Sequence, residues 1–161
     1  MQKINIELLK EEEVEELSEV ILEVFNEFVA GDFLEEGITL FKEFVSPPSL
    51  KTREESGEAF TLVAKDEDKI MGTISIKDKD HISLFFVSKS YHRQGIGKKL
   101  FKKALDKILL NEEKVSKVTV NASPYAVDVY KNLGFKVQGD GILKEENGIV
   151  YLPMEMIIKQ K

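Results

Sequence analysis

The sequence predicts one α/β domain: a mixed, mainly antiparallel sheet flanked by helices. Three patterns predict it. Apolar and polar residues alternate over 2–8 and in three closely spaced runs between 60 and 87; the period becomes helical over 11–31 and again after Gly97; and alternation returns from 135 to the end. A chain of 161 residues suits a single core. No stretch reads as a linker, an internal repeat or a low-complexity segment.

The elements follow in order. Ile4, Ile6 and Leu8 mark a half-buried strand. Val14, Leu17, Ile21, Phe25 and Phe28 mark one helix face, ending near Gly31. Residues 38–45 read as a shorter helix, stopped by Ser46-Pro47-Pro48-Ser49, and 49–58 as a polar loop or frayed turn. Residues 60–64, 70–76 and 81–87 form an antiparallel meander turned at Asp66-Glu67-Asp68 and Asp78-Lys79-Asp80. After Gly97 comes a helix with Ile96, Leu100, Phe101, Ala104, Leu105 and Ile108 on one face and Lys98, Lys99, Lys102 and Lys103 largely on the other. A strand spans 115–121. Ser123-Pro124 caps a helix over 124–133, which Gly134 ends. Two strands, 135–143 and 149–158, close the chain around Asn147-Gly148. The predicted order is β-α-α-β-β-β-α-β-α-β-β.

Composition narrows the function. No apolar run reaches the roughly 18–20 residues of a membrane span, and the N-terminus lacks a signal-peptide core. With no cysteine, the chain has no disulfide and no thiolate nucleophile, as expected of a cytoplasmic protein. The two histidines, His81 and His92, have no metal-ligand spacing, so no metal is expected. The net charge of −6 is uneven: residues 1–60 carry 16 acidic and 5 basic side chains, and residues 61–161 carry 13 acidic and 18 basic. A basic half suits an anionic ligand and an acidic third suits a cationic one, although Glu11 to Glu19 also read as the solvated first turns of a helix. An acidic pI near 5.1 argues against nucleic acid.

The chemistry concentrates in 84–100. An apolar strand enters a polar loop, passes Gly95-Ile96-Gly97 and opens a basic helix. Free N–H groups and the positive dipole end at such a helix start receive phosphate. Leu100 stands where a dinucleotide fingerprint needs glycine, and the spacing before Gly97 is wrong for a P-loop. Arg93, Lys98 and Lys99 can add charge-assisted contacts.

His92-Arg93-Gln94-Gly95-Ile96-Gly97 resembles the Gln/Arg-x-x-Gly-x-Gly/Ala motif of the GNAT family, the Gcn5-related N-acetyltransferases, with His92 in place of Gln or Arg. Asn121-Ala122-Ser123 and Tyr130-Lys131-Asn132-Leu133-Gly134-Phe135 resemble its second signature. The likeness covers the chain from about residue 60 onward and its topology throughout. It implies a GNAT-like sheet and acetyl-CoA as cosubstrate. The pyrophosphate would lie on His92, Arg93, Gln94, Gly95, Ile96, Gly97 and Lys98. The fourth strand would splay from the fifth, with Phe85, Phe86 and Val87 beside the pantetheine arm and the Phe86 or Val87 amide polarising the thioester carbonyl.

The resemblance also assigns roles to single side chains, each with a plainer alternative. Asn121 would bond the pantetheine arm, or serve as a turn former. Tyr130 would protonate the leaving thiolate, or be an amphipathic residue half-buried on its helix. His81 falls where histone-acetylating members carry a glutamate base; a hairpin-edge histidine, with water-linked Glu or Asp as base, is the rival. The Phe85 and Phe86 side chains read as core. The expected reaction is direct attack of a cationic primary amine, held by the first two helices and the final hairpin, within a ternary complex. A non-catalytic acyl-CoA-binding or sensing module is the alternative, and a homodimer is compatible with either.

Overall fold

A computed structural model describes residues 4–110 and 114–158. Its strands are β1 (Ile4–Leu8), β2 (Ala59–Asp66), β3 (Lys69–Lys77), β4 (His81–Val87), β5 (Lys117–Ala122), β6 (Lys136–Val137), β7 (Lys144–Glu146) and β8 (Ile149–Ile157). Its helices are α1 (Val14–Phe28), α2 (Glu35–Phe44), α3 (Pro47–Ser56), α4 (Ile96–Leu109) and α5 (Val127–Leu133). The strands lie in the order β1-β2-β3-β4-β5-β8-β6, with β7 paired to β8. Among the described residues, β4 and β5 form the one parallel pair. The predicted mixed, mainly antiparallel sheet is therefore the observed one.

Two cores sandwich the sheet. Under α4 and α5 lie Leu100, Phe101, Ala104, Tyr130 and Phe135, packed on Ile74, Ile82, Val118, Val120 and Met154. Under α1 and α3 lie Leu17, Ile21, Val45 and Leu50, packed on Val63, Ile70 and Leu84. The second core stops at β4. On that face Thr119, Asn121, Pro153 and Glu155 of β5 and β8 keep solvent exposure.

Two expectations are corrected. Ser46-Pro47-Pro48-Ser49 follows the end of α2 as expected, but it also starts a new helix where 49–58 was read as a polar loop or frayed turn. Ser46 is extended and its hydroxyl accepts the Ser49 N–H, while Pro47 fills the first turn, where a missing N–H costs nothing. The resulting α3 runs to Gly57, at φ +76, and its Arg53 donates to the Phe44 carbonyl (2.7 Å) while stacking on the Phe44 ring. The order thus has a third helix before β2. The strand expected over 135–143 is reduced to Lys136–Val137, because Gly139 and Gly141 both adopt φ +74. Pairing resumes in β7, and Asn147 and Gly148 (φ 52 and 85) make the tight turn into β8.

Candidate active site

The sheet comes apart between β4 and β5. Only His81↔Thr119 and Ile82↔Val120 pair across this junction. The divergence coincides with a bulge: β3 pairs Ile76 with Ile82 and Ser75 with Leu84, leaving Ser83 over. The extra residue inverts the alternation. Ile82, Phe85 and Val87 side chains join the α4 core, whereas Leu84 and Phe86 join the α1 core.

Ladder alternation also decides which amides face the gap. Ser88 N–H bonds to Met71 on β3 (2.8 Å), so Phe86 and Leu84 also turn their backbone groups toward β3. Phe85 and Val87 turn theirs toward β5. On the other bank Thr119 N–H bonds to Asp80 O (2.9 Å), so Asn121, two residues on, turns its backbone to the β4 side, at the last paired position before the strands part. The expectation for Phe86 is corrected: its amide is on the β3 side, and Phe85 supplies the gap-facing group beside Val87. A pattern read without the bulge cannot distinguish them.

Beyond Val87 the chain makes a 3-10 turn at Lys89–Tyr91 and reaches the loop. Arg93 and Gly95 are both left-handed, at φ 64 and 77. Gly95 caps α4, so the amides of Ile96, Gly97 and Lys98 open at the helix start next to Arg93. Gly97 differs from expectation: it is helical, and a Cβ there would lie 3.5 Å from the Phe85 ring, in ordinary contact. Neither its φ nor the packing against β4 therefore requires glycine at this position. Gln94 donates to Ser90 O (3.1 Å), which ties the loop to itself. His92 Nε2–H donates to Val87 O at 2.6 Å, and its ring lies 5.4 Å from Phe28, which stacks on Tyr125 at 4.8 Å. These rings join the end of α1, the loop and the turn after β5 across the open end of the gap.

The two expected catalytic side chains lie on opposite faces of the sheet. Tyr130 sits in the α4 core, 5% exposed, with its ring 5.9 Å from Phe85 and 5.4 Å from Phe135. Burial pushes its phenol well above its ordinary value, so it carries its proton throughout the neutral range. His81 is at the closed end, one residue before the last β4–β5 pair, and its Nδ1 is 2.8 Å from Thr119 Oγ1. Burial, then the charge of Lys77, holds the imidazole below its ordinary value against the opposing pull of Asp80 and Asp78. Asn121 is exposed at the far end of β5, opposite Pro153.

One wall beside the gap was not anticipated as a unit. Phe86 packs on Phe41 (5.8 Å), which stacks on Phe25 (4.1 Å), so β4, α2 and α1 share an aromatic seam. Helix α2 is also locked to the β7–β8 turn: Leu34 N–H donates to Gly148 O (2.9 Å), and a Cβ on Gly37 would collide with that same oxygen. Acidic residues flank this junction in sequence: Glu35 and Glu36 open α2, and of Glu145 and Glu146 in β7 the first accepts the Gly148 N–H (3.3 Å). Thr119 was also missed, since only the β4–β5 register brings it to His81. Among the described residues no group of acidic or histidine side chains is arranged to hold a metal.

A family model described as an acetyltransferase (GNAT) domain matches residues 29–158. The chain belongs to the GNAT family. Its fold matches a PaiA N-acetyltransferase from Thermoplasma acidophilum, solved in complex with coenzyme A, at 22% identity and TM-score 0.78 over 97% of this chain and 99% of that one. A GCN5-related N-acetyltransferase from Rhodopseudomonas palustris matches at 20% identity and TM-score 0.78, over 98% of each chain. A GNAT acetyltransferase from Staphylococcus aureus Mu50 matches at 21% identity and TM-score 0.75, over 98% of this chain and all of that one. No curated protein sequence matches the chain. Among the described residues, no helix of this GNAT protein is long and apolar enough to cross a membrane.

Proposed function

We propose that this protein transfers the acetyl group of acetyl-CoA to a primary amine by direct attack in a ternary complex. The observation that carries the reading is the divergence of β4 from β5 immediately after Ile82↔Val120. It puts the outward amides of Phe85 and Val87 in line with the phosphate-receiving start of α4. A pantetheine arm is an extended chain of amides, and a strand edge with free N–H and C=O groups is its natural partner. That the T. acidophilum relative was solved with coenzyme A supports the same ligand for this chain.

The residues divide the work by position. Ile96, Gly97 and Lys98 amides, with Arg93 and Lys98 charge, take the pyrophosphate. Phe85 and Val87 amides and Asn121 hold the arm, and one of those amides polarises the thioester carbonyl. The acceptor ammonium first loses one proton to solvent; the neutral nitrogen attacks the carbonyl carbon and passes its second proton to His81. The C–S bond then breaks, the sulfur accepts a hydrogen bond, then a proton, from Tyr130, and the imidazolium gives up a proton to solvent as the phenol regains one from it. The raised phenol is well matched only to a thiolate under the same burial, so its first service is hydrogen bonding. The acceptor lies on the half of the sheet face that the α1 core leaves open, between the aromatic seam and the acidic α2–β7 junction. A cationic amine is the class that this charge favours.

Incubating the protein with acetyl-CoA and a panel of amines while following free thiol is the direct test. Thiol release dependent on an amine is expected. Tight CoA binding without turnover of any amine would instead favour an acyl-CoA-sensing module.

A further inference from the structure

We propose that Thr119 is a positioning residue for acetyl transfer: its hydroxyl accepts the Nδ1–H of His81 and leaves Nε2 with a free lone pair for the amine's proton. This rests on the reading of His81 as the base and explains how the fold prepares it. The two histidines make the point by contrast. His92 faces a carbonyl, which can only accept, so its Nε2 must carry the proton. His81 faces a hydroxyl, which can donate or accept, so its tautomer depends on where the Thr119 proton goes.

The sheet register answers that. Thr119 stands between His81 on β4 and Glu155 on β8, directly paired with each. Ile158 N–H bonds to Ser116 O, which makes Thr119↔Glu155 a non-hydrogen-bonded pair, the kind with the closer side chains. A carboxylate only accepts, and its negative charge on the β8 side favours the hydroxyl orientation that points the Thr119 proton away from His81 and a lone pair toward it. Lys117 Nζ lies 3.9 Å from the Glu155 carboxylate, and Lys136 is paired opposite Glu155 on β6. The backbone holds the pair still: Thr119 N–H is bonded to Asp80 O, and the branched Thr119 side chain has little freedom at χ1. The charged groups around the imidazole are Lys77 from β3 and Asp78 and Asp80 from the turn; burial outweighs them and favours the neutral ring, the state in which a tautomer is defined. As the amine attacks, its proton passes to Nε2 and His81 becomes imidazolium, still donating from Nδ1 to Thr119.

The test uses the intact chain labelled with ¹⁵N-histidine. With only two histidines, long-range ¹⁵N–¹H spectra resolve both tautomers. His81 is expected as the Nδ1–H form in the unaltered protein, and a predominantly Nε2–H form overturns the proposal without any variant being made. Thr119→Val should lower kcat by roughly 10- to 100-fold with the KM for acetyl-CoA unchanged, and Thr119→Ser should recover most of it. Unchanged kcat in Thr119→Val beside an inactive His81→Gln overturns the positioning role and spares the base. Wild-type kcat in His81→Gln overturns the base and this proposal with it.

Discussion

The two ends of β4 are built for different tasks. At its start, around His81 and Ile82, the strand is paired on both sides, to β3 and β5, and in the proposed reaction it is the His81 side chain that acts. At its end Phe85 and Val87 have β3 on one side and the gap on the other, and the backbone is what remains available. The single bulge at Ser83 separates the two regimes. Proton transfer needs an imidazole in a fixed, partly dry setting, which pairing supplies. Ligand threading needs unpaired amides, which only unpairing supplies. One strand can offer both because its partner leaves halfway along.

Changes at the closed end should therefore act on kcat, and changes at the open end on cosubstrate binding. His81→Gln is expected to be the most damaging, lowering kcat by about 10²–10³-fold with acetyl-CoA affinity intact by calorimetry. Tyr130→Phe comes next, with a kcat loss of about 10–100-fold and unchanged Kd for CoA; a loss of binding instead would make it a packing residue. Gly95→Ala should raise the Kd for CoA rather than alter kcat at saturation. It forces an alanine to φ +77, at a strain of about 1–2 kcal/mol, measurable as a lower Tm together with the weaker binding. The pH profile gives a subtler contrast. Because burial lowers the His81 pKa, the base is neutral above that value and protonated below it. The acid limb of kcat should then lie below the ordinary histidine value near 6.5 and vanish in His81→Gln. The smallest effect is expected of His92→Ala, a few-fold change in the KM for acetyl-CoA, since Val87 O loses its donor but the loop amides stay.

Much of this could be read from residue order. Alternation located the meander and the return strands, because one side of each faces a core. Gly95 and the Asn147-Gly148 turn were legible because left-handed backbone leaves a compositional mark. What escaped detection was whatever depends on a partner distant in sequence. The Ser83 bulge has no signature of its own and exists only against β3, so the Phe86 amide was expected to face the gap and turns the other way. Thr119 is an ordinary strand residue until register sets it beside His81. Pro47-Pro48 was ambiguous in a different manner: proline ends a helix from inside and begins one from its first turn, and Ser46 decides which. For Tyr130 the plainer alternative was a half-buried amphipathic residue; the Phe85 and Phe135 rings instead enclose it fully enough to change its acidity.

The outward-turned amides of Phe85 and Val87 also give the site a signature in time. A strand in the middle of a sheet should exchange its amide hydrogens slowly, yet these two alternate with protected neighbours at Leu84 and Phe86. In deuterated solvent the end of β4 should exchange in a fast-slow pattern of period two. Filling the gap should erase that pattern, so occupancy could be followed at individual amides before any product is formed.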